Sequence, residues 1–276
     1  MAITAAQVNE LRKKTGAGMM DCKKALVETD GDMEAAIDFL RKKGQKVAAK
    51  RVDNEAKEGL IYATTTDNGK TGVLLQLNCE TDFVAKNADF QAFVQSLVNV
   101  AMNNLPASLE ELKACKYDEK LTVEEKLTEQ IGVIGEKLDL SNYTVINADQ
   151  VVGYNHPGNQ IATLVGLNKE GEVVADAGKQ VAMQVAAMNP VALKKEDVDE
   201  ATVARELEIG KELAIQEGKP AEMADKIAQG RLGKFFKENT LLSQPFVRDN
   251  KKSVEQFLNE TESGLTVTAF KRFSLS

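Results

Sequence analysis

The sequence has no tryptophan, one histidine, three cysteines and only 5% aromatic residues in 276 positions. Each shortage removes a class of function. With a formal net charge of -7 and no Trp, the chain offers neither a broad basic face nor an aromatic stacking series, so nucleic acid is not an expected partner. The lone His156 cannot build a His-cluster metal site, and it leaves one candidate imidazole base with no nucleophile or orienting acid near it in sequence. Cys22, Cys79 and Cys115 are odd in number, widely spaced and outside any Cys-x-x-Cys pair. They read as small buried hydrophobes in a reducing compartment, not as a disulfide framework or a zinc site. No segment reaches the roughly 20 apolar residues that span a bilayer. The start, Met1 to Gln7, has no basic region followed by an apolar stretch. The expected location is cytoplasmic, with no membrane partner.

Signatures of nucleotide binding and catalysis are missing too. Gly16-Ala17-Gly18 has no strand before it, and no Gly-x-x-x-x-Gly-Lys-Ser/Thr pattern occurs. Paired acids such as Asp30 and Asp32, or Asp197 and Asp199, fall at helix boundaries, where they cap and solvate. No cofactor, resident metal, catalytic residue or direct nucleotide binding is expected. The chain reads as a binding protein.

What is present is a modular α+β pattern, long enough for two or three compact units with cores of their own. Residues 1–52 read as a three-helix domain: Thr4 caps a helix carrying Val8 and Leu11, Thr15 to Gly18 turn the chain, Asp21 opens a second helix, Gly31 breaks it and Asp32 caps a third. The stretch 45–51, with Lys46, Lys50 and Arg51, reads as a solvated linker. Residues 53–140 read as a β-hairpin about Asp67-Asn68-Gly69, a helix with Phe90, Phe93, Val94, Leu97 and Ala101 on one stripe, and an amphipathic helix over 121–138.

Residues 141–276 repeat the theme. Strand-like runs over 143–154 and 160–168 flank His156 to Asn159. Val165-Gly166-Leu167-Asn168 followed by Ala186-Ala187-Met188-Asn189 echoes Leu75-Gln76-Leu77-Asn78 followed by Val100-Ala101-Met102-Asn103. The pattern points to a duplicated hairpin-plus-helix subdomain, with a sheet shared by the two copies as one arrangement. Charged helix formers over about 198–239 turn at Gly218-Lys219-Pro220, which predicts a projecting helical hairpin. Its stripes are Val203, Leu207, Ile209 and Leu213 on one limb and Met223, Ile227 and Leu232 on the other. A final alternating strand over 265–273 is expected to complete a sheet.

Among these elements the hexapeptide Cys79-Glu80-Thr81-Asp82-Phe83-Val84 stands out, because it sets an acid and a phenyl ring at a strand-to-helix junction. Such junctions carry contact residues. By itself the pattern also fits a Phe83 folded back into the core and an Asp82 that caps the turn.

Three collinear stretches carry a resemblance: Leu11-Arg12 with Thr15-Gly16-Ala17-Gly18-Met19-Met20-Asp21-Cys22-Lys23-Lys24-Ala25-Leu26, then 78–85 around the hexapeptide, then Gln244-Pro245-Phe246-Val247. Together they resemble the bacterial elongation factor Ts family. The resemblance implies a guanine-nucleotide exchange factor for elongation factor Tu, a partner protein and not a substrate. It implies a ubiquitin-associated-like N-terminal domain, two similar α+β core subdomains and an inserted antiparallel coiled-coil hairpin. Thr81, Asp82, Phe83 and Val84 would enter the partner's GTPase domain and dislocate Mg2+. Further contacts would come from Arg12, Met19 and Met20, and from His156 and Gly158 toward a β-barrel domain. Two departures are visible: Gln184 stands where many members carry His, and the sequence stops at Ser276 where some members continue into another helical module. A homodimer stays open.

Overall fold

A computed structural model describes residues 3–275 of the chain. The fold is α+β, with eleven α-helices and three small antiparallel sheets among the described residues. None of those helices is long and apolar enough to cross a membrane.

Capping chemistry sets the first three helices. α1 (Ala5–Thr15) opens on Thr4, whose hydroxyl accepts from Gln7 N while the Gln7 amide oxygen accepts from Thr4 N in return. It ends at Gly16, in the left-handed region at φ +70°. α2 (Met19–Glu28) starts earlier than expected: Gly18 is its cap, and Asp21 lies inside the first turn, where its charge suits the helix dipole. α3 (Met33–Lys50) is capped by Asp32, which accepts from Ala35 N at 2.9 Å. The three helices bury Leu11, Cys22, Ala25, Leu26 and Ala36 in one cluster.

β1 (Glu58–Thr65) and β2 (Thr71–Cys79) pair antiparallel, Thr65 opposite Gly72 and Glu58 opposite Cys79. The chain continues through α4 (Asp82–Ala85), α5 (Ala88–Asn104), α6 (Leu109–Ala114) and α7 (Val123–Ile134) into β3 (Asp139–Asn147). β3 returns beside β2, giving the order β1-β2-β3. Strand alternation divides β2 between two cores. Val73, Leu75 and Leu77 meet α5 and α7, whereas Leu74 faces the other way. The helix expected over 121–138 is shorter than its pattern, because Gly135 adopts φ +80° and closes it; Leu138 is buried from the segment leading into β3.

The run 143–154 is not one strand. It breaks after Asn147, and β4 (Gln150–Asn155) starts a different sheet with β5 (Ile161–Leu167). After them come α8 (Glu172–Met188), the antiparallel α9 (Glu200–Gln216) and α10 (Ala221–Asn239), the short pair β6 (Pro245–Phe246) and β7 (Asp249–Ser253), α11 (Val254–Thr261) and β8 (Val267–Ser274). β8 lies beside β5, so the second sheet has the order β4-β5-β8. In both sheets the second strand of the hairpin is central and is followed by a helix covering one face.

The two sheets stay separate and face each other across Ile61, Ala63, Leu74, Ile146, Val151, Ala162 and Leu164. They do not merge because the free edge of β1 is already occupied. Ile61 N donates to Asn159 O at 2.8 Å, and the Asn155 side chain accepts from Ala63 N at 2.7 Å and donates to Ala63 O at 2.9 Å.

Two helix crossings differ from the sequence pattern for one reason, the close approach that small residues permit. Residues 45–50 continue α3 instead of forming a linker, since Gly44 does not break the helix but packs on α7. A Cβ added at Gly132 would lie 2.5 Å from Gly44 Cα. In the α9–α10 pair the buried positions among the described residues are Gly210, Ala214, Ala224 and Ala228; of the expected stripes Val203, Leu207, Ile227 and Leu232 are half-buried, while Ile209, Leu213 and Met223 are exposed. A Cβ on Gly210 would lie 3.1 Å from Ala228 Cα, so at that crossing the seam is too narrow for a larger side chain.

Gly132→Ala is therefore expected to lower the unfolding free energy by about 1–3 kcal/mol through overpacking. Gly233→Ala, where an added Cβ meets nothing within 4 Å, is expected to raise it by up to about 1 kcal/mol. Urea unfolding of both variants checks this; no loss for Gly132→Ala would contradict the crossing.

Candidate functional site

The end of β2 leads into a helix of only four residues, too short to hold itself. Thr81, extended at φ -124° and ψ 151°, is its cap and accepts from Val84 N at 3.4 Å. On one side Val84 and Ala85 pack into the first core. On the other Phe83 is 83% exposed, more than any other large hydrophobic among the described residues. Phe83 thus does not fold back, and the capping side chain is Thr81, not Asp82. Asp82 instead pairs with Lys86 one turn later at 2.6 Å, and that ammonium holds its carboxyl below the usual range.

Two carboxylates brace this tip. Glu136, just past the end of α7, accepts from Glu80 N at 3.1 Å, Thr81 N at 3.0 Å and Thr81 Oγ1 at 2.7 Å. Glu80 accepts from Arg51 Nη1 at 2.8 and 2.9 Å, Asn54 Nδ2 at 3.0 Å and Lys137 N at 2.6 Å. Lys137 Nζ completes the knot by donating to Val52 O at 2.7 Å and Asn54 O at 2.9 Å. Burial works to raise the Glu80 carboxyl, but the Lys137 N–H, Arg51 and Asn54 outweigh it and hold it below its ordinary value. Below the tip, the Cys79 thiol donates to Thr81 O at 3.2 Å, and burial first, then the Glu136 charge, push it up to about 12, so it stays a neutral donor. Apart from Glu80 and Cys79 within the hexapeptide, sequence reasoning missed this brace. Its partners lie 26 to 85 residues apart, and the only local signal was an acid directly after Gly135.

The N-terminal residues singled out from sequence lie on the surface of the helical module. Arg12 is exposed near the end of α1, and Met19 and Met20 open α2 at 55% and 75% exposure. A cleft of about 680 Å³ is lined by Lys13, Lys14 and Gly16 of this module, by Val84 of the tip and by Phe93 and Val133. His156 and Gly158 are elsewhere, on the turn between β4 and β5, where Gly158 and Asn159 take φ +89° and +54°. The His156 ring is 3.0 Å from Tyr154 Oη, and no carboxylate or thiol among the described residues is bonded to it. Nor does any group of three or more His, Cys, Asp or Glu residues among them form a metal site. Gln184 is fully buried. It donates to Gln244 Oε1 and Pro245 O at 3.1 Å and accepts from Val247 N at 2.8 Å, so it ties α8 to the 244–247 stretch and is not a surface contact.

A family model described as Elongation factor TS matches residues 80–276. Proteins named Elongation factor Ts from Christiangramia forsetii, Cytophaga hutchinsonii and Porphyromonas gingivalis are 51%, 52% and 46% identical to this chain. These alignments cover 99%, 99% and 100% of it and 98%, 99% and 99% of the relatives.

Because Glu80 titrates below its ordinary value of 4.5 in the folded chain, its stabilisation is complete above that pH and is lost as the pH falls through the folded-state value. Unfolding free energy measured below pH 4.5 is expected to fall less steeply for Glu80→Gln than for the unaltered chain. Equal slopes would count against the brace.

Proposed function

The chain belongs to the elongation factor Ts family, and we propose that it is the guanine-nucleotide exchange factor for elongation factor Tu, with the 81–84 tip as the element that enters the GTPase. The observation that carries this reading is the exposure of Phe83 on a braced one-turn helix. A phenyl ring held in water forgoes about 1.5–3 kcal/mol of burial, which a partner's apolar crevice can restore. Because the backbone beneath it is already fixed, little ordering entropy opposes that insertion.

Exchange follows if the ring is accommodated only by the partner conformation that has lost its hold on the nucleotide. Magnesium bridges phosphate oxygens to protein oxygens, so a wedge that displaces it removes much of the nucleotide's binding energy. Asp82, carrying its charge beside Phe83, is the polar half of the wedge. Coupling is reciprocal: GTP entering the partner expels the factor as strongly as the factor expelled GDP. A 1,000-fold coupling corresponds to about 4 kcal/mol, within reach of one buried ring plus flanking contacts.

Those contacts are assigned to Arg12, Met19 and Met20, on a three-helix domain of ubiquitin-associated type over 1–52, and to His156 and Gly158, on the second of two duplicated core units over 53–140 and 141–276. The exposed methionines, adaptable in shape, suit an apolar partner surface. The α9–α10 pair is the projecting arm. The chain acts by binding in the cytoplasm, without covalent chemistry and without holding nucleotide itself.

Phe83→Ala is expected to slow factor-stimulated GDP release from elongation factor Tu by about 10- to 150-fold, the equivalent of the lost burial. Asp82→Ala should slow it less, and both variants should keep the fold seen by circular dichroism. Stopped-flow release of a fluorescent GDP decides the matter; unchanged rates in both would sink the assigned mechanism.

A further inference from the structure

We propose that Glu136 and the Arg51–Glu80 pair are positioning residues for exchange: they aim the tip and fix it in register with the N-terminal helices, so that docking of one presents the other. The inference rests on the exchange-factor reading and adds residues outside the 81–84 wedge.

Three features support it. Glu136 accepts the two backbone N–H groups directly before the tip helix and the hydroxyl that caps it. These three bonds fix the direction in which a four-residue helix leaves the strand, and no longer element is there to do so. Arg51 is the residue that ends α3, and its guanidinium grips Glu80 through both carboxylate oxygens. One residue before the wedge is thereby bonded to the longest helix of the N-terminal module. Finally, α3 is itself seated on α7 at the Gly44–Gly132 crossing, and α7 ends beside Glu136. The module, the brace and the tip form one closed frame.

Placement of this kind acts on the step after docking, and a displacement of about 1 Å can change a rate by about 100-fold. Glu136→Ala is expected to lower the maximal rate of GDP exchange by about 10- to 100-fold while leaving the KM for elongation factor Tu within about threefold. Glu136→Gln keeps a carbonyl oxygen for the two N–H groups and an amide that can donate to the Thr81 hydroxyl, so it should restore the rate to within about threefold. Arg51→Ala should lower the maximal rate in the same manner but less, since Asn54 and Lys137 N still hold Glu80.

A second readout is independent of exchange. The sequence has no tryptophan, so Phe83→Trp puts a single tryptophan, excited selectively over the tyrosines, on the tip of the full chain. Its anisotropy should fall when Glu136→Ala or Arg51→Ala is added and stay high with Glu136→Gln. If Phe83→Ala slows exchange but neither Glu136→Ala nor Arg51→Ala lowers the maximal rate, the positioning role is overturned and the wedge reading stands. A rise in KM at unchanged maximal rate overturns it as well, in favour of a docking role. If Phe83→Ala leaves exchange unchanged, the wedge reading itself has failed, and this inference with it. Should Glu136→Ala unfold, Arg51→Ala carries the same test by rate and by anisotropy.

Discussion

Two carboxylates, Glu80 and Glu136, stand where three distant segments meet, and the geometry of the tip follows from what those carboxylates require. A partly buried anion must be paired and hydrogen-bonded or it drives the structure to rearrange. Here the partners are a guanidinium from the end of α3, a backbone N–H from the segment between α7 and β3 and the backbone and hydroxyl donors of the tip itself. Satisfying the anions therefore also assembles the N-terminal helices, α7 and the exit of β2 into one arrangement.

That arrangement explains how an apolar side chain can be kept in water without loosening its surroundings. Phe83 contributes nothing to the core, but its neighbours Val84 and Ala85 do. The one-turn helix is held by apolar packing below and charge-assisted hydrogen bonds behind, while the ring is left free. Further from the tip, the same division recurs. The sheets share an apolar interface, and β1 has its edge bonds taken up by Asn155 and Asn159. Asn159 belongs to the turn that carries His156, so the second sheet is fastened to β1 by the loop on which that candidate contact stands.

Local chemistry was legible where a single short segment decides the outcome. Thr4 and Asp32 cap helices as their side chains dictate, Asp67-Asn68-Gly69 lies in the turn between β1 and β2, and the Phe90 to Ala101 stripe is the buried face of α5. Errors arose where an element's fate depends on what lies against it. The stretch 45–51 looked like a linker and mostly continues α3, with Gly44 as a contact surface inside the helix. The stripe through Leu138 looked helical beyond Gly135, because burial in a helix and burial in the segment that follows it leave the same apolar mark. In the arm, the larger residues seemed to define the seam, yet four of them are only half-buried, three are exposed, and the buried places go to small residues where the backbones approach closely.

The sequence by itself determined the α+β pattern, the lack of a catalytic constellation among its motifs and the family to which the chain belongs, since these reside in contiguous residues whose propensities act locally. It also marked the hexapeptide as unusual without saying which way its ring would face. Only the tertiary structure decided that Phe83 stays outside and that Glu136, Arg51 and Lys137 converge on the backbone beneath it. Those contacts join residues dozens of positions apart, and their geometry exists only once the helices and sheets have packed.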